Sequence, residues 1–112
     1  MTYRPKVCID FDGVLNTYTG WKGENELYKP RIGTEEFLQT LHNEYTVTIF
    51  TTRNKEKIQD WLEKHCLDIY VDRITNIKEP ALAYIDDRAI CFNGDYEKTM
   101  NELRNFRAHW EK

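Results

Sequence analysis

In the stretch Val7-Cys8-Ile9-Asp10-Phe11-Asp12-Gly13-Val14 an apolar run meets two carboxylates and a glycine. Residues 7–10 have the composition of a buried strand. An apolar strand ending in acids fits the centre of a parallel sheet, whose C-terminal edge opens into a ligand crevice. Two carboxylates held there repel each other and lose solvation, so a cation between them keeps them ionised. Carboxylate and main-chain oxygens favour a hard cation, which points to Mg²⁺. By itself Asp-x-Asp is equally the mark of a solvated turn or helix cap, and the rest of the chain decides between the two readings.

Outward from that stretch, strands and helices alternate. Residues 15–31 show no clean period and carry Tyr18, Gly20, Trp21, Gly23, Tyr28 and Pro30. The connection is long for a β–α unit, as expected of a flap beside a site. Gly33-Thr34-Glu35-Glu36 reads as a helix start with Thr34 as N-cap, and Phe37, Leu38, Leu41 and Tyr45 form its inward stripe. Residues 46–50, Thr-Val-Thr-Ile-Phe, read as a second strand ending on Thr51-Thr52-Arg53-Asn54. Residues 54–66 read as a helix with Ile58, Trp61 and Leu62 inward. A weaker strand is expected within 69–74, and Pro80 breaks the pattern that follows. Leu82-Ala83-Tyr84-Ile85 is a further strand, ending on Asp86-Asp87-Arg88. A short apolar run, 89–92, precedes a turn. Tyr96, Met100, Leu103, Phe106 or Arg107, and Trp110 then recur at helical spacing, as a core-facing stripe would. The pattern predicts a single Rossmann-like α/β domain spanning 1–112, with three layers and a mainly parallel sheet.

The totals narrow the class. At 112 residues, 40% hydrophobic and 31% charged, the chain suits one folded domain rather than two or a disordered segment. A net charge of -3 argues against a strongly basic nucleic-acid binder. No apolar run has membrane-spanning length, and residues 1–6 do not lead into a signal-peptide core. The cysteines, Cys8, Cys66 and Cys91, are odd in number and lack CxxC spacing, so neither a disulfide framework nor a zinc site is expected. Cys8 and Cys91 read as small buried hydrophobes, and the expected compartment is a reducing cytoplasm. His42, His65 and His109 sit on expected helices at no ligand spacing and read as surface or boundary residues.

A parallel sheet brings its polar strand ends to one edge. Asp10 and Asp12 come from the first, Thr51, Thr52 and Arg53 from the second, Asp86 and Asp87 from a later one, and Lys78 from the connection before it. Acids can hold Mg²⁺; a hydroxyl, helix-start N–H groups and an ammonium can hold a phosphate. In this order the motifs Asp10-Phe11-Asp12-Gly13-Val14, Thr51, Lys78 and Asp86-Asp87 resemble those of the haloacid dehalogenase superfamily of phosphohydrolases, over roughly residues 7–92.

The resemblance implies a Mg²⁺-dependent phosphatase. Asp10 would be the nucleophile that forms an aspartyl-phosphate. Asp12 would be the general acid and then the general base, with its main-chain carbonyl on Mg²⁺. Thr51 would hydrogen-bond the transferring phosphoryl oxygens, and Lys78 would neutralise their charge; Thr52, next to Thr51, is a further candidate phosphate contact. Asp86 would ligate Mg²⁺, with Asp87 as a direct or water-mediated ligand. Arg53 is added from its position beside Thr51, as a contact to substrate or to a phosphate oxygen, against a surface ion pair as the alternative. Neither the interval before Thr34 nor that between Arg53 and Lys78 has room for a cap domain, so a capless member is expected. Only Arg88 and a neighbour separate Asp87 from the 89–92 run. That is too short for a parallel crossover, so the usual last strand is expected to be shortened, displaced or merely extended.

Rivals are a metal-dependent nuclease using the same acids, a receiver-type signalling domain, and a binding module without turnover. Thr51 and Lys78 disfavour the first, the order of the acids the second, and the presence of both Asp10 and Asp12 the third. The expected partner is a phosphorylated small molecule or the phosphorylated end of a macromolecule. Tyr18, Trp21 and Tyr28 offer rings on which a base could stack.

Overall fold

The apolar run forms β1 (Lys6–Ile9), which lies inside a four-stranded, all-parallel sheet. This computed structural model describes residues 3–112; of the polar lead-in, Met1 and Thr2 lie outside them. The elements follow as α1 (Thr34–Glu44), β2 (Thr46–Phe50), α2 (Lys55–Lys64), β3 (Arg73–Thr75), β4 (Ala83–Ile85) and α3 (Tyr96–Arg104). The sheet order is β3-β2-β1-β4, so β1 is flanked by β2 and β4. The expected α/β Rossmann-like domain is thus present. Among the described residues no helix is long and apolar enough to cross a membrane.

Strand register sorts the side chains into two faces. Val7 pairs with Val47, Ile9 with Ile49, Ile49 with Ile74, and Ile9 with Ile85, so these residues point the same way. The β1–α1–β2 and β2–α2–β3 crossovers step in one direction, and right-handed connections then lay both helices on that face. Leu38 of α1 and Ile58, Trp61 and Leu62 of α2 close the core there. Ile9, Leu38, Ile49, Ile58 and Leu62 are fully buried, and each contributes about 1.5–3 kcal/mol by leaving water. The opposite face is crossed by the 76–82 connection as a third layer. From it Glu79 accepts hydrogen bonds from Lys6 Nζ and Arg73 Nε, both at 2.9 Å.

Several local expectations are corrected. Gly33, in the left-handed region at φ 91°, is the N-cap of α1; Thr34 is buried instead, and its hydroxyl donates to the Leu15 carbonyl at 3.1 Å. Phe37 is turned outward, so the α1 stripe is carried by Leu38, Leu41 and Tyr45. The 69–74 strand is shorter and later than expected, because a 3₁₀ turn (Asp68–Tyr70) occupies its first half. Residues 89–92 join no strand, which leaves β4 at the sheet edge, and Cys91 is exposed while Cys8 is buried. The final stripe is not core: Tyr96, Met100 and Leu103 are exposed on α3, which buries no residue. Periodicity there reported an amphipathic helix correctly but could not say that the described fold leaves its apolar face uncovered.

Candidate active site

Three neighbouring strand ends build the site. Asp10 follows β1, and its N–H donates to the Ile85 carbonyl at 2.8 Å, carrying the pairing with β4 one residue further. Asp86 and Asp87 follow β4. Carboxylate oxygens of Asp10, Asp86 and Asp87 all lie within 4.8 Å of one another. Thr51 follows β2 on the other side of β1; it is buried, and its N–H donates to the Thr75 carbonyl at 2.9 Å. Residues up to 77 positions apart in sequence are thereby brought to one edge, as parallel topology requires.

The electrostatics of this cluster favour a cation. Burial pushes the Asp10 carboxyl up from 3.8 to about 8, helped by a hydrogen bond with Asp87 and by the negative charges of Asp86 and Asp87. Three convergent hard oxygen donors, one of them destabilised in its charged form by the others, fit a divalent ion such as Mg²⁺. Asp10, Asp86 and Asp87 are the residues that would hold it. The Asp12 carboxylate is not one of this group.

Asp12 is held elsewhere, by a bracket invisible in the sequence. Its Oδ2 accepts from Arg53 Nε at 2.8 Å and its Oδ1 from Asn16 Nδ2 at 2.9 Å. Asn16 is fully buried and also donates to the Leu27 carbonyl, while its Oδ1 accepts from Gly13 N, both at 2.9 Å. One amide therefore ties the Asp12 turn to the 15–31 flap. The flap itself is pinned at its base by an antiparallel bridge between Asn16 and Pro30 and by Thr17 N–H donating to Lys29 at 2.9 Å. Asn16→Ala leaves buried groups unmet on both sides, a cost of about 1–3 kcal/mol or more. The expected result is a lower urea midpoint and, for the phosphatase that the sequence resemblance implies, a fall in kcat exceeding any change in KM, because Asp12 is freed to turn; unchanged kcat in an active wild type would remove Asn16 from the positioning role.

The C-terminal residues close the other side. Trp110 Nε1 donates to Asp87 Oδ2 at 2.5 Å, and His109 Nε2 donates to the Gly13 carbonyl at 2.7 Å. Tyr18 of the flap packs edge-on against both Trp110 and Tyr28. Arg88 lies over the Phe106 and Trp110 rings and pairs with Glu111 at 2.9 Å. His109 is exposed, as expected of a surface or boundary residue, and also touches the site, while Trp110 serves Asp87 rather than a core. No local signal marks either contact, since both partners lie far off in the chain. Gly13, at φ +80°, is needed for its close approach as well as for its turn: a Cβ there would fall onto the Asp87 carboxylate and within 3.0 Å of Trp110 Nε1.

Two expected phosphate ligands stand further out. Thr52 is exposed and lines clefts on either side of Arg53. Lys78 is exposed, with its ammonium 4.8 Å from the centre of the Tyr84 ring. Tyr84 pairs in register with Cys8, so it points to the face away from Ile9 and Ile85. In this conformation the cation in contact with the acidic residues is Arg53, on Asp12, rather than Lys78.

No family model matches the sequence, and comparison with curated proteins gives no match. A solved structure of a conserved protein from Bacteroides thetaiotaomicron is similar. It is 16% identical, with 97% of each chain covered and a TM-score of 0.61. At that identity the likeness bears on the α/β fold alone.

Proposed function

We propose that the chain is a Mg²⁺-dependent phosphatase that hydrolyses a phosphate monoester through an aspartyl-phosphate, in the manner of a capless haloacid dehalogenase. The supporting observation is the meeting of Asp10, Asp86 and Asp87 at one sheet edge, with Thr51 on the adjoining strand end. In this reading an Asp10 oxygen forms a bond to phosphorus as the bond to the leaving oxygen breaks. Asp12 gives that oxygen a proton, then takes one from the water that hydrolyses the acyl phosphate. Asn16 and Arg53 aim the Asp12 carboxylate for both transfers. The Thr51 hydroxyl and the N–H groups at the start of α2 face the transferring oxygens. A bound Mg²⁺ would supply charge neutralisation, letting an anionic nucleophile approach an anionic ester. Lys78 would join by leaving the Tyr84 ring. The unpaired cysteines accord with a cytoplasmic enzyme.

Phosphate release from an aryl phosphate and from a panel of metabolite and nucleotide monoesters tests the reading. Release with Mg²⁺ and none with EDTA is the expected result. No release from any monoester, with Mg²⁺ shown to bind, would overturn it.

A further inference from the structure

The guanidinium of Arg53 is built for more than its bond to Asp12. Its side chain is only 3% exposed, yet among the described residues Nη1 and Nη2 have no hydrogen-bond partner; only Nε is used, on Asp12. The other Asp12 oxygen accepts from Asn16 rather than from either Nη. The flat faces of the guanidinium are covered: its carbon lies 4.8 Å from the Trp21 ring centre and 6.0 Å from that of Phe11. Arg53 N–H donates to Thr51 Oγ1 at 3.1 Å, which holds the backbone below it. What stays unmet, though buried beneath the flap, is the outer edge, with paired N–H donors in the geometry that matches a carboxylate or phosphate.

A small cleft of about 50 Å³ lies at Arg53, lined by Trp21, Glu24, Thr52, Arg53, Asn54 and Lys57. Lys57 adds a second positive charge, and the N-terminus of α2 begins at this wall. The acid in the lining, Glu24, is an exposed flap residue 3.7 Å from Lys57 Nζ. Trp21, 60% exposed, and Glu24 both belong to the flap, so one loop supplies the ring over the guanidinium and the acid beside Lys57.

We infer that this cleft is a subsite for a second oxyanion, so that the substrate is a phosphate monoester whose leaving group bears a further carboxylate or phosphate. The inference rests on the proposed phosphatase site, since the reacting phosphate is taken to lie at Asp10. It adds a reason for Arg53 that a surface ion pair does not supply: a buried guanidinium with most of its donors unmet is destabilising unless a ligand meets them.

The test is binding without turnover. Asp10→Asn protein with Mg²⁺ is titrated calorimetrically with matched pairs: glycerol 3-phosphate against 3-phosphoglycerate, and fructose 6-phosphate against fructose 1,6-bisphosphate. A nucleoside 5′-monophosphate against its 3′,5′-bisphosphate makes a third pair. The second anion should tighten binding by about tenfold or more in at least one pair, and which pair responds distinguishes carboxylate from phosphate. That ratio should collapse with Arg53→Gln and shrink with Lys57→Ala, a surface change that leaves the core intact. No preference in any pair overturns the inference, even if the wild-type protein releases phosphate. Equal weakening of both members of a pair by Arg53→Gln also overturns it, by assigning the guanidinium to the reacting phosphoryl group. A pairwise preference in a protein that releases no phosphate would uphold the subsite and sink only the proposed reaction.

Discussion

Asp10→Asn is expected to remove Mg²⁺-dependent phosphate release by at least about a thousandfold, while raising the thermal stability of the metal-free protein at pH 8. Both effects follow from one carboxyl. An amide cannot form the acyl phosphate, so turnover is lost whatever the substrate. The stability change has the opposite sign because the Asp10 carboxyl is pushed up to about 8 in the folded chain, from 3.8. The folded protein therefore keeps a proton that the unfolded chain releases, and stability falls as pH rises through the window from about 4 to about 8. Asparagine carries no charge to penalise, so the variant loses much of this pH dependence. Mg²⁺ should stabilise the wild type more at pH 8 than at pH 6, since proton and metal compete for the same oxygens. Thermal unfolding at both pH values, with and without Mg²⁺, checks the sign. A wild type whose metal-free stability is flat across this range would mean that Asp10 is not crowded by Asp86 and Asp87 as the geometry has it.

Gly13→Ala should be nearly as damaging through geometry alone. The φ of +80° costs a residue with a Cβ about 1–2 kcal/mol. The larger effect is steric, because the Cβ would occupy the space of the Asp87 carboxylate and press on Trp110 Nε1. Asp87 then has to swing out of the acidic triad or the turn has to open. Loss of Mg²⁺ affinity and of activity by about a hundredfold or more is expected, against a modest loss of stability. Calorimetric Mg²⁺ titration beside a urea melt separates the two. An alanine variant that binds Mg²⁺ as wild type does would show that Asp87 is dispensable for the metal.

Much of this arrangement was legible before any coordinates. The β-branched and apolar run at 7–10 identifies a buried strand, and the acids at its end mark the crevice side, because burial and polarity are written residue by residue. Helix α2 reads directly from the spacing of Ile58, Trp61 and Leu62, although it ends at Lys64 rather than running to 66. The short stretch after Asp87 left no room for a parallel crossover, and of the outcomes that allows the structure takes the extended segment, since residues 89–92 join no strand. Cys91 and the α3 stripe were misread for a common reason. A hydrophobic pattern says which face seeks cover, not whether the fold provides any.

The contacts that complete the site belong to the other category. Asp12 meets Arg53 across 41 positions, Trp110 meets Asp87 across 23, and His109 meets Gly13 across 96. None follows from local propensity, because each is set by where the sheet order and the return of the C-terminus place two distant turns. The triad of Asp10, Asp86 and Asp87 stands between the two cases. Its members could be named from their strand ends, but only the pairing of β4 beside β1 puts their oxygens within reach of one ion. Residue chemistry is local and can be read along the chain; proximity is a property of packing, and the chain acquires it only on folding.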